Sequence, residues 1–311
     1  MPTTIAVPSK FGATPRAVFD RNWITRRMVH HRFGLEPDAA DLGPLAEVCG
    51  RCPAWVQAQT LPEDLLFLHD MIRCARPSRV VEIGVASGLS TSIILHSLAA
   101  NGGPLTDERG VPRVQSVDIL ASVPWDPKTP IGAAVREVVP DLTSGSVIHT
   151  RKTSMDLPAL LGSLTADFAF VDGAHAHPWP ALDALMLSRV LRPGSWMVLH
   201  DIALVERAHI EARRLNLESV DYGARGAEYL FEYWPGEKLR GVGECWNLAA
   251  IRLPADGSFD PASLRDLIAV PWETGLVLPA IHALHGFVGE AATFIGSNLH
   301  RDDQRLPGRS G

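Results

Sequence analysis

Four short segments carry side chains whose types and spacing could do chemistry. The first runs Glu82-Ile83-Gly84-Val85-Ala86-Ser87-Gly88-Leu89-Ser90-Thr91, two glycines set between an acid and two hydroxyls. Glycines let the backbone approach a bound molecule closely. The spacing is GxxxG, so the GxGxxG fingerprint of pyrophosphate binding is missing, and no GK[ST] follows to make a P-loop. Glu82 would repel a diphosphate and suits a cationic or hydroxyl-bearing ligand. The second segment ends in Asp118, an acid placed to hold ribose hydroxyls. Together they point to a nucleoside without a diphosphate. The third, Asp172-Gly173-Ala174-His175-Ala176-His177, and the fourth, His200-Asp201, bring two carboxylates and up to three imidazoles. Carboxylates suit Mg²⁺ or another hard divalent ion, and imidazoles serve softer metals or act as bases. The plainer alternatives stay open. Asp172 and Asp201 could cap helices, His177 could be a surface loop residue, and His200 could be a packed residue bonded to Asp172.

Something must hold these segments on one edge. Arg79–Gly84, Val114–Asp118, Val147-Ile148, Ala166–Asp172 and Ser195–His200 are short apolar runs that read as buried parallel strands. Helical patterns alternate with them over Pro62–Ala75, Ser90–Ala100, Gly132–Val139, Pro158–Leu164, Pro180–Leu191 and Val205–Leu215. This alternation predicts an α/β fold, a doubly wound and mostly parallel sheet. Ligands then bind beyond the carboxyl ends of the strands. Tyr229–Trp234 and Trp246–Leu253 have no helix between them and read as an antiparallel hairpin, which makes seven strands. A helix is expected over Arg16–His31, a loop over Phe33–Pro53, and a kinked helix over Thr274–Leu299 with a frayed tail after it. The expected division is residues 1–61 as an N-terminal extension, 62–253 as the catalytic domain and 254–311 as a C-terminal extension.

The composition narrows the function classes. The chain has 311 residues, 46 % hydrophobic and 21 % charged, and a net charge of −6 from 29 basic and 35 acidic residues. That excludes a mainly disordered chain and disfavours nucleic-acid binding. No stretch approaches the roughly 20 apolar residues of a spanning helix, and Met1–Lys10 does not read as a secretory signal. No membrane partner is expected, and the cytoplasm is the expected location. Of the four cysteines, Cys49 and Cys52 form a lone CxxC before the first strand and read as free thiols. Eight Trp and 12 His, against three Tyr, hint at pockets for flat or polar molecules.

The Glu82–Gly88 turn and the second-strand acid Asp118 resemble the class I S-adenosylmethionine-dependent methyltransferases over roughly Pro62 to Leu253. That resemblance implies a Rossmann-like methyltransferase fold with a closing hairpin. It also implies S-adenosyl-L-methionine as cofactor, held by Glu82, Gly84, Ala86, Ser87, Gly88, Ser90, Thr91, Asp118, Ser154 and Asp172. Asp172-Gly173-Ala174-His175, then Leu191-Arg192-Pro193-Gly194, then His200-Asp201 resemble metal-dependent small-molecule O-methyltransferases, including sugar O-methyltransferases and cephalosporin-hydroxylase-like proteins. The implied roles are His175 and Asp172 in catalysis and Asp172, His200 and Asp201 around a divalent metal, Mg²⁺ foremost. His200 departs from the acid or amide that several of these enzymes carry there. The expected partner is a hydroxylated small molecule, a sugar or natural product, with a homo-oligomer left open. N-methylation, metal-free transfer and a non-catalytic scaffold remain alternatives. Arg225 and Trp234 could contact substrate, and His30 and His31 could cap the pocket.

Overall fold

A computed structural model describes residues 14–57, 60–214, 224–259 and 261–288. The N-terminal helices are α1 (Pro15–Arg21), α2 (Trp23–Arg32), α3 (Leu42–Gly50) and α4 (Pro62–Ala75). The alternating region runs β1 (Val80–Ile83), α5 (Leu89–Ala100), β2 (Val114–Asp118), a small hairpin of β3 (Ser122–Val123) and β4 (Asp126–Pro130), α6 (Val135–Val138), β5 (Ser146–Thr150), α7 (Leu157–Leu161), β6 (Ala166–Val171), α8 (Trp179–Ser188), β7 (Leu191–Leu199) and α9 (Leu204–Arg214). The end comprises α10 (Gly226–Tyr233), β8 (Lys238–Arg240), β9 (Ala249–Arg252), α11 (Pro261–Ala269) and α12 (Leu278–Val288).

The seven-stranded sheet has the order β5-β2-β1-β6-β7-β9-β8. The first five are parallel, and β9 runs antiparallel to both β7 and β8. Side chains on a strand alternate between faces, and β6 shows what that does here. Phe168 and Phe170 enter the core beneath α4 and α5, while Ala169 and Val171 enter the core beneath α8 and α10. The chain winds outward from β1 to β2 and β5, then returns to start β6 on the other side of β1. The order therefore reverses between β1 and β6, the crevice where such sheets bind ligands.

Both terminal segments pack into these cores. Val18, Phe19, Val29, Leu42 and Leu45 join the first. Leu264, Leu267, Ala280 and Leu284 join the second. Arg26 on α2 crosses to Asp70 on α4 at 3.0 Å, both side chains fully buried, with His30 Nε2 3.1 Å from the same carboxylate.

Several sequence expectations need correction. Tyr229–Trp234 lies in helix α10 and the turn that ends it, because Ala227, Leu230 and Trp234 recur at helical spacing and are all buried. The outer strand of the hairpin is instead Lys238–Arg240, too short and polar to stand out. The expected loop at Phe33–Pro53 contains α3, whose Leu42, Leu45, Val48 and Cys49 make a buried stripe. The single helix over Arg16–His31 breaks at Asn22, whose amide donates to Val18 O and to Glu244. The kinked helix over Thr274–Leu299 is seen as α12 over its described part, with α11 unforeseen before it, while the tail lies outside the described residues.

Candidate functional site

The site begins where β1 and β6 end side by side. Gly84 has φ +83°, and a Cβ there would sit 2.0 Å from the Asp172 carbonyl oxygen. The two loops touch through backbone, so only glycine fits. Asp118 closes β2 and holds the first loop in place. Its Oδ2 accepts from the Val85 and Ala86 amides, each at 3.0 Å, and its Oδ1 accepts from Leu120 at 2.8 Å. Its Oδ1 keeps a further lone pair.

These loops border a cavity of about 510 Å³, within the range of roughly 300–1,000 Å³ that suits a small organic ligand. Of the residues assigned to the cofactor, Gly84, Ala86, Ser87, Ser90, Asp118, Ser154 and Asp172 line it. Glu82, Gly88 and Thr91 do not. Glu82 faces α5 and is fully buried, accepting from Ser90, Thr91 and Ser116 hydroxyls, each at 2.7 Å. The hydroxyls that this acid was expected to meet on a ligand are the protein's own. Burial pushes its carboxyl up to about 7 against those three bonds. Gly88, at φ +92°, makes room for Gly132 behind the loop.

Thr60, Trp125, Lys152, Thr153, Trp179 and Asp183 also line the cavity and were missed. Asp183 left a signal, as the single charge in the apolar run Trp179–Leu187. Burial pushes its carboxyl up to about 7, offset in part by the Ser154 hydroxyl.

The acidic and histidine-rich strand ends meet beside this cavity. Asp172, His175 and Asp201 each offer one ligand atom, and these atoms lie within 4.8 Å of one another. His175 Nε2 is 3.5 Å from Asp201 Oδ2. Asp201 has φ +58°, and its Oδ1 accepts from Asn247 Nδ2 at 2.8 Å. Two carboxylate oxygens and one imidazole nitrogen form a donor set that fits a hard or borderline divalent cation.

His200 is not part of that trio, contrary to the metal role expected of it. Its Nδ1 donates to Asp172 Oδ1 at 2.9 Å, and its Nε2 points to Asp64 Oδ2 at 3.4 Å. Burial opposes its charge, but Asp172 and Asp201 override that and raise it well above the usual histidine range.

Three other expectations fail on burial or partners. His177 is fully buried, edge-on to Tyr229, rather than a surface residue. Trp234 is buried and donates to Arg252 O at 2.9 Å, out of reach of a substrate. His30 is committed to Asp70, and His31 to Glu36 at 2.9 Å, so neither caps the cavity. Arg225 pairs with Glu228 at 2.9 Å, while Tyr222 and Gly223 of the same glycine-rich stretch lie outside the described residues.

Residues 81–202 match a family profile described as a methyltransferase domain. The O-methyltransferase TomG from Streptomyces achromogenes, involved in tomaymycin synthesis and solved with S-adenosylmethionine, is 18 % identical. The match covers 70 % of this chain and 91 % of that one, at a TM-score of 0.42. An O-methyltransferase from Bacillus cereus, solved with S-adenosylhomocysteine, is 16 % identical, covering 74 % of this chain and 99 % of that one at a TM-score of 0.41. No curated relative matches the chain.

Proposed function

We propose that this chain, which carries a class I S-adenosylmethionine-dependent methyltransferase domain over residues 81–202, methylates a hydroxyl group of a small molecule. The observation that carries the reading is one cavity with the ribose-competent Asp118 on one wall and Asp172 and His175 on another. The donor set fits the cofactor. Asp118 is locked by three amides with one lone pair on Oδ1 to spare, and nearby carboxylates favour a cationic sulfonium. When bound, S-adenosylmethionine supplies a methyl group on a positively charged sulfur.

His175 would take the proton of the acceptor hydroxyl as its oxygen bonds to the methyl carbon and the methyl–sulfur bond breaks, releasing the neutral thioether S-adenosylhomocysteine; an imidazole does this work well near neutral pH. Asp201, whose Oδ2 lies 3.5 Å from Nε2, orients the ring. The acceptor and the methyl are held in line in one cavity, which supplies much of the rate. A divalent cation held by Asp172, His175 and Asp201 would instead lower the hydroxyl's pKa itself, with His175 as ligand rather than base.

A metal-free reading is favoured by His200. Wedged 2.9 Å from Asp172 and 3.5 Å from Asp201, it offsets both charges without an ion. The test is transfer of labelled methyl from S-adenosylmethionine to a panel of sugars and phenolic natural products, with and without EDTA. Product that His175→Ala reduces about 100-fold or more supports the reading, in line with what general-base catalysis contributes. EDTA-sensitive, Mg²⁺-restored activity favours the bound cation, and EDTA-resistant activity favours His200. Labelled amines with no labelled hydroxyls would overturn O-transfer.

A further inference from the structure

Asp183 is a buried acid of the cavity lining that neither the loops nor the acidic cluster explains. It sits in the first half of α8, on the face turned towards the strand ends. Its side chain is buried and borders the cavity. Its Oδ2 would be only 3.2 Å from a Cβ on residue 173, so Gly173 leaves that oxygen open space. Among the described residues no cation stands beside it, and the Ser154 side chain is its polar neighbour. Lys152, a cation of the cavity lining, is paired with Asp156 at 3.0 Å. A buried carboxyl without a charged partner is costly unless something else bonds it.

The same cavity has a second unfinished feature. Ile119 and Leu120, directly after Asp118, are 66 % and 42 % exposed. Both line the cavity, so a ligand lying there would cover them. An apolar wall that follows the ribose acid, with one carboxyl and one hydroxyl among the lining groups, is suited to a flat heterocycle with a donor on its edge.

We propose that Asp183 reads the purine of the cofactor, its carboxyl accepting the exocyclic amine of adenine while Ile119 and Leu120 cover a ring face. This rests on the reading that S-adenosylmethionine fills the cavity. Asp183 is thus a specificity-determining residue of that site. Its binding partner is an amino-purine, and a 6-oxo purine presents an acceptor where the carboxylate needs a donor. A site built around such a bond rejects analogues that lack it.

The test is calorimetric titration with S-adenosylhomocysteine and with its 6-oxo analogue, S-inosylhomocysteine, at a pH above the raised range of the Asp183 carboxyl, where it is an acceptor only. The wild-type protein should prefer the amine by about tenfold or more, as loss of a hydrogen bond to a charged group implies. Asp183→Asn should bind both and narrow the preference to about twofold, because an amide turned either way meets either edge. Asp183→Leu should lose affinity for S-adenosylhomocysteine and show no preference. An unchanged preference in both variants overturns the assignment while leaving the cofactor reading intact. Wild-type protein that binds neither compound overturns both. If the variants do not fold, a structure of the wild-type complex decides. The amine should lie within hydrogen-bond distance of the Asp183 carboxyl, and any other position for it overturns the proposal.

Discussion

At the scale of the residue, the two acids of the first loop divide the work differently from their spacing in sequence. Asp118 faces the cavity and Glu82 faces the protein. Asp118→Ala should therefore weaken S-adenosylhomocysteine binding by about 10–100-fold, the range expected for bonds to a charged acceptor. Calorimetry reads this, with thermal unfolding to check that the loop survives. Glu82 should show itself in stability. Its folded pKa is about 7, raised from 4.5. A raised pKa means the native state binds the proton more readily than the unfolded chain. Its contribution is complete below about 4.5 and is lost as pH rises through about 7. Glu82→Gln should flatten the stability–pH curve in that window, and urea titrations at several pH values measure it. An unchanged slope would mean Glu82 stays charged throughout. The sequence made the acids, Gly84 and the strand-end His175 legible because their types are rare in apolar runs. It could not show which face of β1 Glu82 takes relative to α5, nor that His200 would spend both nitrogens on carboxylates. Those depend on Asp64 and Ser116, brought near only by packing.

At the scale of the element, the alternating core was readable because buried parallel strands are apolar and end in glycine or acid. β2 matches its expected range residue for residue. The errors cluster at the ends. An aromatic run such as Tyr229-Leu230-Phe231 satisfies strand composition, but its burial follows a helical period in α10. Helix α3 was hidden by Gly43 and Pro44 in its first turn, where both are tolerated. The N-terminal helices are joined to the core by a buried charge pair, Arg26 on α2 and Asp70 on α4. Removing one partner leaves the other charge buried, so Arg26→Ala should cost about 3–5 kcal/mol. Chemical denaturation reads this, and a loss under about 1 kcal/mol would show that α2 contributes little to the fold. Desolvation by burial and the His30 and Arg26 contacts act on Asp70 in opposite directions, and the contacts prevail, holding its carboxyl below the usual range.

At the scale of the whole molecule, the acidity has a place. The chain's net charge is −6, and Asp118, Asp172, Asp183 and Asp201 all stand at the carboxyl edge of one sheet. His200 and Arg207 offset part of that charge from behind, Arg207 through Asp64 at 3.3 Å. The rest faces the cavity, where a sulfonium or a divalent ion would meet it. Two of the eight Trp, Trp125 and Trp179, line that cavity, and most of the others pack into the cores. No helix among the described residues is long and apolar enough to cross a membrane. The order of strands, the crevice between β1 and β6, and the acids around it support one central claim, that the cavity is built for S-adenosylmethionine. Titrating the full-length protein with S-adenosylhomocysteine in a calorimeter tests this most directly. The account predicts saturable binding of one molecule per chain, lost in Gly84→Arg, whose side chain would displace the Asp172 backbone. No heat of binding from the wild-type protein, or equal binding by the Gly84→Arg variant, would contradict it.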